Sequence, residues 1–216
     1  RDDVESRGLG DVYKRQRLNV AALRALKATM DEGRDATPEE ARAISAYSGW
    51  GGAANAFAEN QTGGWAEVSR ELKELLSEDE FAEQRATVLT AFYTPRPVVE
   101  LIWETLRDAG ICDGGRAEIL EPGCGTGNFM RCVPEGMDVH VTGVEIDPVS
   151  AGLARVLCPD HTIVAADIEK CEIPEGSFDA AIGNVPYSDA IKIDGVPLHD
   201  YMIKRACLLY TSDAAD

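Results

Sequence analysis

From Thr94 to Gly183 the chain repeats one pattern, and that pattern restricts the fold more than any other feature of the sequence. Short apolar runs at residues 118–121, 139–145, 162–165 and 178–183 read as buried strands, and helix-compatible segments separate the first three. Strands alternating with helices call for a mostly parallel sheet covered on both faces, with ligands bound beyond the carboxyl ends of the strands. The residues at those ends are Glu121, Glu145, Asp167 and Asn184, so every group able to carry chemistry falls where such a sheet binds its ligands.

Ahead of this pattern, residues 18–89 read as short helices forming an α-helical lead-in. Leu23, Leu26 and Met30 recur at helical spacing, and Gly33 can close that helix. Thr37-Pro38-Glu39-Glu40 offers a cap, a first-turn proline and a capping-box glutamate, and Ser77-Glu78-Asp79-Glu80 offers a second such start ahead of Phe81, Val88 and Leu89. Leu72, Leu75 and Leu76 mark the helix in between. Tyr47-Ser48-Gly49-Trp50-Gly51-Gly52 predicts a tight loop that packs the indole against a neighbour. At the second boundary Thr94-Pro95 reads as the cap of a helix carrying Val98, Val99, Ile102 and Leu106 that stops at Gly110.

Composition excludes several classes of function. Apolar content of 44% and charged content of 27% are those of a globular chain, and no apolar run approaches the about 20 residues a membrane helix needs. With 21 basic and 38 acidic residues the formal net charge is −17. That charge opposes general phosphate binding, which relies on Lys and Arg, so any nucleic-acid contact calls for a local basic patch or, as expected here, a basic module beyond this sequence. The six cysteines, Cys112, Cys124, Cys132, Cys158, Cys171 and Cys207, contain no C-x-x-C pair, and there are three histidines. This suggests neither a zinc site nor a disulfide framework. Reduced thiols and a cytoplasmic location are expected, with no metal and no membrane partner.

Glu121-Pro122-Gly123-Cys124-Gly125-Thr126-Gly127 follows the first strand candidate. Its glycines allow backbone to approach a ligand closely, and Asn128-Phe129-Met130 can open a helix behind them. A dinucleotide site wants a third glycine at the position held by Asn128. The observed G-x-G-x-G, with an acid two residues before it, resembles the S-adenosylmethionine loop instead. Glu145, in Gly143-Val144-Glu145-Ile146-Asp147, is a two-oxygen acceptor suited to ribose hydroxyls. Asp147, ahead of Pro148, is the expected cap of the next helix. Asp167, after the third strand candidate, resembles the position that in methyltransferases accepts from the cofactor's adenine amino group, or else is a carboxylate capping a loop.

Asn184-Val185-Pro186-Tyr187 carries the second chemistry. Methyl transfer to an exocyclic amine is hindered by delocalisation of the nitrogen lone pair, and acceptors aimed at both N–H bonds favour the pyramidal, nucleophilic form. The Asn184 side-chain oxygen and the Val185 carbonyl can supply those acceptors, while Tyr187 offers a face for a flipped base. Val185 stands where the motif usually has a first proline, so preorganisation by that ring is absent. His199 reads as structural.

This ordered set resembles the N6-adenine DNA methyltransferases in which the cofactor-covering element comes first. More closely, Tyr47-Ser48-Gly49-Trp50-Gly51-Gly52, Phe92-Tyr93-Thr94, Glu121-Pro122-Gly123-Cys124-Gly125, Gly183-Asn184-Val185-Pro186 and Leu198-His199-Asp200-Tyr201 resemble the methylase part of large methylase-helicase fusions of bacterial mobile elements and phages. In that family Asn-Val-Pro is the usual form. The resemblance implies a Rossmann-like, class I S-adenosylmethionine-dependent methyltransferase fold with a truncated sheet. It also implies a cofactor pocket of Tyr93, Thr94, Pro95, Glu121, Gly123, Gly125, Gly127, Phe129, Glu145, Ile146, Asp167, Ile168 and Asn184, an amine site of Asn184, Val185, Pro186 and Tyr187, and a flipped adenine in DNA as partner, with a fused helicase. Methylation of a protein glutamine, or a low-turnover cofactor and DNA-docking module, are the alternatives.

Residues 1–16 and 207–216 resemble translated sequencing-adaptor reads, which leaves a helical region at 17–91 and a methyltransferase domain at 92–206. Discounting the two ends removes four charges of each sign and then two acids, so −17 becomes −15. The expectation is a fragment of a larger protein, inactive and poorly soluble alone, with residues 178–183 forming an exposed apolar sheet edge.

Overall fold

The computed structural model describes residues 2–51, 53–58, 61–90, 94–186 and 192–210, in two compact units, Arg1–Ala91 and Phe92–Asp216.

The first unit is helical: α1 (Asp2–Glu32), α2 (Pro38–Ser45), α3 (Gly63–Leu75) and α4 (Glu78–Thr90), with a 3-10 turn at Ala54–Phe57. Local sequence sets its helix ends. Thr37 and Glu40 form the complete capping box expected of them, and Ser77 and Glu80 exchange the same pair of bonds at 2.8 and 3.2 Å. Gly33, at φ +60, ends α1 with its N–H on the Met30 carbonyl. Leu23 and Leu26 are buried, but Met30 is 48% exposed, because it lies on the last turn where the chain reverses. Trp50 is fully buried and packs edge-on against Tyr47 and Phe57. Its Nε1–H donates to Gln84 Oε1 at 2.8 Å, and the Tyr47 hydroxyl donates to the same oxygen at 3.0 Å. From the adaptor-like stretch, Tyr13 meets Trp65 edge-on and buried Gln16 accepts a bond from Asn19. Glu71 pairs with both Arg17 and Arg24, which ties α1 to α3.

The second unit begins with α5 (Arg96–Asp108) and continues through β1 (Ala117–Pro122), β2 (Val139–Glu145), α6 (Pro148–Leu157), β3 (Thr162–Ala165) and β4 (Ala180–Ala181) to a hairpin of β5 (Lys192–Ile193) and β6 (Val196–Pro197), and then α7 (Leu198–Tyr210). The sheet is parallel in the order β3-β2-β1-β4. One buried cluster, with Val99, Trp103, Ile119, Phe129, Val141 and Ala154, lies on the side of α5 and α6. A second unites Leu120, Val144, Ile168 and Phe178 with Met202, Ala206 and Leu209 of α7.

Three expectations need correction. No α-helix follows the glycine loop; turns lead into a single 3-10 turn at Met130–Cys132. Pro134, two residues beyond it, lacks the N–H to extend a helix and disfavours helical geometry at Val133. The last strand is laddered only at Ala180–Ala181, since Gly183 turns away at φ +154. Nor do residues 178–183 present an apolar edge: Phe178 and Ile182 are buried in the two clusters, leaving the small Ala181 exposed. The N–H groups of Gly176 and Ser177 donate to the carbonyls of Leu208 and Leu209, so α7 closes over the approach to this strand.

Candidate functional site

β1 and β2 run in register from Ala117↔Val139 to Pro122↔Val144, so the glycine loop leaves the sheet beside Glu145. The N–H groups of Gly123 and Cys124 both donate to the Val144 carbonyl, at 2.8 and 3.0 Å. The Glu145 carboxylate then folds across the loop, accepting from Gly125 N at 2.7 Å and from Asp147 N at 2.8 Å. Backbone donors thus hold both carboxylate oxygens, which still have further acceptor capacity. Burial pushes the Glu145 carboxyl above its ordinary range, against the pull of those backbone donors. Asp147 caps α6 from the Val149 and Ser150 N–H groups, with Pro148 in the first turn, as its position suggested.

Gly125 and Gly127 are glycines for different reasons. Both have positive φ, +55 and +78, which L-residues rarely adopt. A Cβ at Gly127 would stand 2.6 Å from Cys158 Sγ, whereas one at Gly125 would meet nothing within 4 Å. Gly127 therefore packs the loop onto α6, and Gly125 holds open the space a ligand would take. Cys158 beneath is a packing thiol: burial pushes it up to about 12, far from the thiolate that reactivity requires.

Two buried polar atoms beside this loop have no partner. Glu121 is 2% exposed, and its Oε2 makes no hydrogen bond. Burial first, and the Glu145 charge second, hold its carboxyl well above the ordinary range. Thr94 was expected to cap α5, but the N-cap is Pro95 and no side chain caps that end. The Thr94 hydroxyl is instead buried and unpartnered, while its carbonyl accepts from Asn128 Nδ2 at 2.8 Å, joining this segment to the glycine loop. Unsatisfied buried groups cost stability, and two of them at one loop mark a place built for something polar.

Asp167 ends the β3 crossing by accepting from Glu169 N at 3.1 Å, capping the 3-10 turn Ile168–Lys170. Ile168 and Phe129 point into the buried clusters, and the Phe129 carbonyl accepts from Trp103 Nε1. Ile146 is 67% exposed beside Glu145. Asn184 is exposed after β4, Val185 packs against the Leu120 cluster, and Pro186 Cδ would lie 3.8 Å from a Cβ on Gly123. The amine loop and the cofactor loop are thus neighbours. Tyr93 and Tyr187 lie outside the described residues.

Residues 119–194 match the family model described as a methyltransferase domain. The fold is that of the class I S-adenosylmethionine-dependent methyltransferases. Relatives by sequence include the "Defense against restriction protein B" of Escherichia phage P1, 35% identical over 101 residues that make up 46% of this chain and 4% of that protein. Type II methyltransferase M.CvrRI of Paramecium bursaria Chlorella virus XZ-6E is 39% identical over 97 residues, 44% of this chain and 24% of that one. Type II methyltransferase M.XamI of Xanthomonas campestris pv. amaranthicola is 32% identical over 111 residues, 48% and 20% respectively. The chain therefore spans a quarter or less of the length of each.

The cofactor of this methyltransferase fold is S-adenosylmethionine, and the residues present fit it. The unpartnered Glu121 oxygen and Thr94 hydroxyl suit a group bearing an ammonium and a carboxylate, Gly125 leaves open space, and Glu145 retains acceptor capacity for a diol. Among the described residues no group of three or more His, Cys, Asp and Glu side chains could hold a metal ion, and no helix is long and apolar enough to cross a membrane. Sequence reasoning missed the roles of Asn128, Cys158 and the α7 residues Met202 and Arg205. Only the quoted Leu198-His199-Asp200-Tyr201 stretch pointed to that helix.

Proposed function

We propose that this chain carries the catalytic part of an amino-group methyltransferase acting on DNA, with the adenine N6 nitrogen as acceptor. The observation that carries the reading is the adjacency of the two loops, with Pro186 of the amine loop resting at Gly123 of the cofactor loop. That spacing suits in-line transfer, in which acceptor and donor must meet within contact distance.

S-adenosylmethionine, when bound, supplies an electrophilic methyl carbon on a sulfonium. The chain's own residues do the remainder. Asn184 Oδ1 and the Val185 carbonyl accept the two amine N–H groups and favour the pyramidal nitrogen, Tyr187 stacks on the flipped base, and Glu121, Thr94 and Glu145 bind and orient the donor. No strong general base is required, and His199, half-buried at the start of α7, is left a structural role. DNA as substrate draws support from two relatives named Type II methyltransferases and one named for defence against restriction. The phage relative, of which this chain spans 4%, fits a methylase segment set within a far larger polypeptide, where a helicase and basic DNA-contacting segments offset the net charge of −17.

The test, run on the larger protein expected to contain this segment, is transfer of labelled methyl from S-adenosylmethionine to adenine-containing duplexes, with the product nucleoside identified. Asn184→Ala is expected to abolish formation of N6-methyladenine and, since the resemblance puts Asn184 at the edge of the cofactor pocket too, to weaken S-adenosylhomocysteine by no more than about tenfold. Equal turnover in variant and parent would remove Asn184 from the mechanism. Label recovered on cytosine N4 or on a protein glutamine would replace the acceptor.

A further inference from the structure

α7 contributes no residue to the cofactor or amine motifs, yet it reaches both cofactor-facing loops. Met202 Cε would lie 3.4 Å from a Cβ on Gly123, so its methyl closes the underside of the glycine loop. One turn later Arg205 Nη2 donates to the Cys171 carbonyl at 3.2 Å. Cys171 in turn closes the Asp167 turn: its thiol donates to the Asp167 carbonyl at 3.4 Å, and Lys170 N donates to the same oxygen at 2.9 Å. Tyr201, one turn before Arg205, lies within the field of Glu169, Asp194 and Asp167. Burial, followed by those charges against an opposing one from Arg205, raises its phenol above the ordinary range.

A lysine could satisfy the Cys171 carbonyl as well as an arginine can. Arg205 instead keeps its Nε–H buried without a partner, a costly arrangement for a group serving stability alone. What the guanidinium adds is a planar group of fixed direction, and its Nη2–H is applied to the turn whose first residue is Asp167.

We propose that Arg205 is a positioning residue for the adenine end of the cofactor, setting the Asp167 carboxylate through the Cys171 carbonyl. The proposal rests on the reading in which Asp167 accepts from the adenine amino group, and its test separates the two. S-inosylhomocysteine carries a carbonyl where S-adenosylhomocysteine carries that amino group, so the ratio of their affinities reports the Asp167 contact. A structural defect would lower both affinities together.

Equilibrium binding of both ligands is measured on the 216-residue chain and on Asp167→Asn, Arg205→Met and Arg205→Gln. The parent is expected to prefer the adenosyl ligand by about ten- to hundredfold, the value of one hydrogen bond to a charged acceptor. Asp167→Asn and both Arg205 variants are expected to lose most of that preference. If Asp167→Asn keeps the full preference, the reading of Asp167 fails and the proposal fails with it. If Asp167→Asn loses it while the Arg205 variants keep it, or weaken both ligands equally, the reading stands and the role of Arg205 is overturned. Should Arg205→Met not fold, Arg205→Gln carries the same comparison. Failure of both to fold would make Arg205 a folding residue and equally overturn the proposal.

Discussion

Substituting alanine at Gly125 and at Gly127 separates ligand space from packing within five residues of one loop. Both positions have positive φ, so alanine at either costs about 1–2 kcal/mol in backbone strain. At Gly125 nothing else is near, and with about 3 °C of melting temperature per kcal/mol the loss is about 3–6 °C. At Gly127 the new methyl would overlap Cys158 Sγ at 2.6 Å and touch Ala154 and Met130 at 3.7 Å. Overpacking adds about 1–3 kcal/mol, for a total of about 2–5 kcal/mol and a loss of about 6–15 °C. The order reverses for ligand: Gly125→Ala fills the open space over the loop and is expected to weaken S-adenosylhomocysteine by more than about tenfold. Differential scanning fluorimetry and calorimetric titration measure both effects. Cys158→Ala removes the obstructing sulfur, so Gly127→Ala combined with it should show a favourable coupling of about 1–3 kcal/mol in urea unfolding. Equal melting temperatures for the two alanine variants, or strictly additive effects of Gly127→Ala and Cys158→Ala, would refute the assignment of Gly127 to packing.

The pH dependence of stability follows from Glu121, whose folded carboxyl lies above the unfolded value of 4.5. Below that value both states are protonated; as pH rises through it the unfolded chain releases the proton first, so stability falls by up to about 1.4 kcal/mol per pH unit until the folded carboxyl ionises too. Glu121→Gln should therefore lose less stability than the parent in urea unfolding between pH 5 and 7, and identical slopes would show that Glu121 is not held protonated. In the helical unit, Gln84→Met removes the acceptor that Trp50 and Tyr47 share, which for the buried Trp50 N–H costs about 1–3 kcal/mol. Chemical denaturation should register that loss, and a change below about 1 kcal/mol would deny the shared oxygen a stabilising role.

Helix starts and strand bounds were legible because local chemistry fixes them. The two capping boxes are complete within four residues each, and the runs at 139–145 and 162–165 coincide with β2 and β3 because both are bounded by turn residues and pair in one parallel register, although β3, at the sheet edge, buries only Ile163 where a buried strand was expected. The remainder depended on tertiary context. Thr94 has the composition of a cap, yet the two prolines flanking Arg96 begin the helix one residue later and leave its hydroxyl facing inward. Residues 178–183 have strand composition along their length, but Gly183 at φ +154 wraps across Pro122, with room for a Cβ only 3.4 Å from the Pro122 carbonyl, and the ladder ends at Ala181. Asp167 allowed a loop cap or a ligand acceptor, and its geometry accommodates both, since Oδ1 alone bonds the Glu169 N–H. No periodicity could have announced that α7 returns to the sheet, because β1 and β4, the strands it packs against, lie outside the span of any helical repeat.

Val185 shows how this site meets a requirement that a second proline would meet through the backbone. A proline ring stiffens a loop by restricting φ, whereas valine leaves the backbone freer and must be held from outside. Its side chain packs onto the cluster of Leu120, Val144, Ile168, Phe178 and Met202, two strands, a turn and a helix at once. Leu120 precedes the glycine loop, Ile168 follows Asp167, and Met202 supports Gly123. The amine loop is therefore anchored to the same apolar group that supports both cofactor loops. A shift of α7 large enough to loosen one of them would disturb all three, because close-packed interiors transmit displacement rather than absorb it. On the proposed reading, this packing supplies the restriction that a proline ring would give at Val185, and the Val185 carbonyl is held through it.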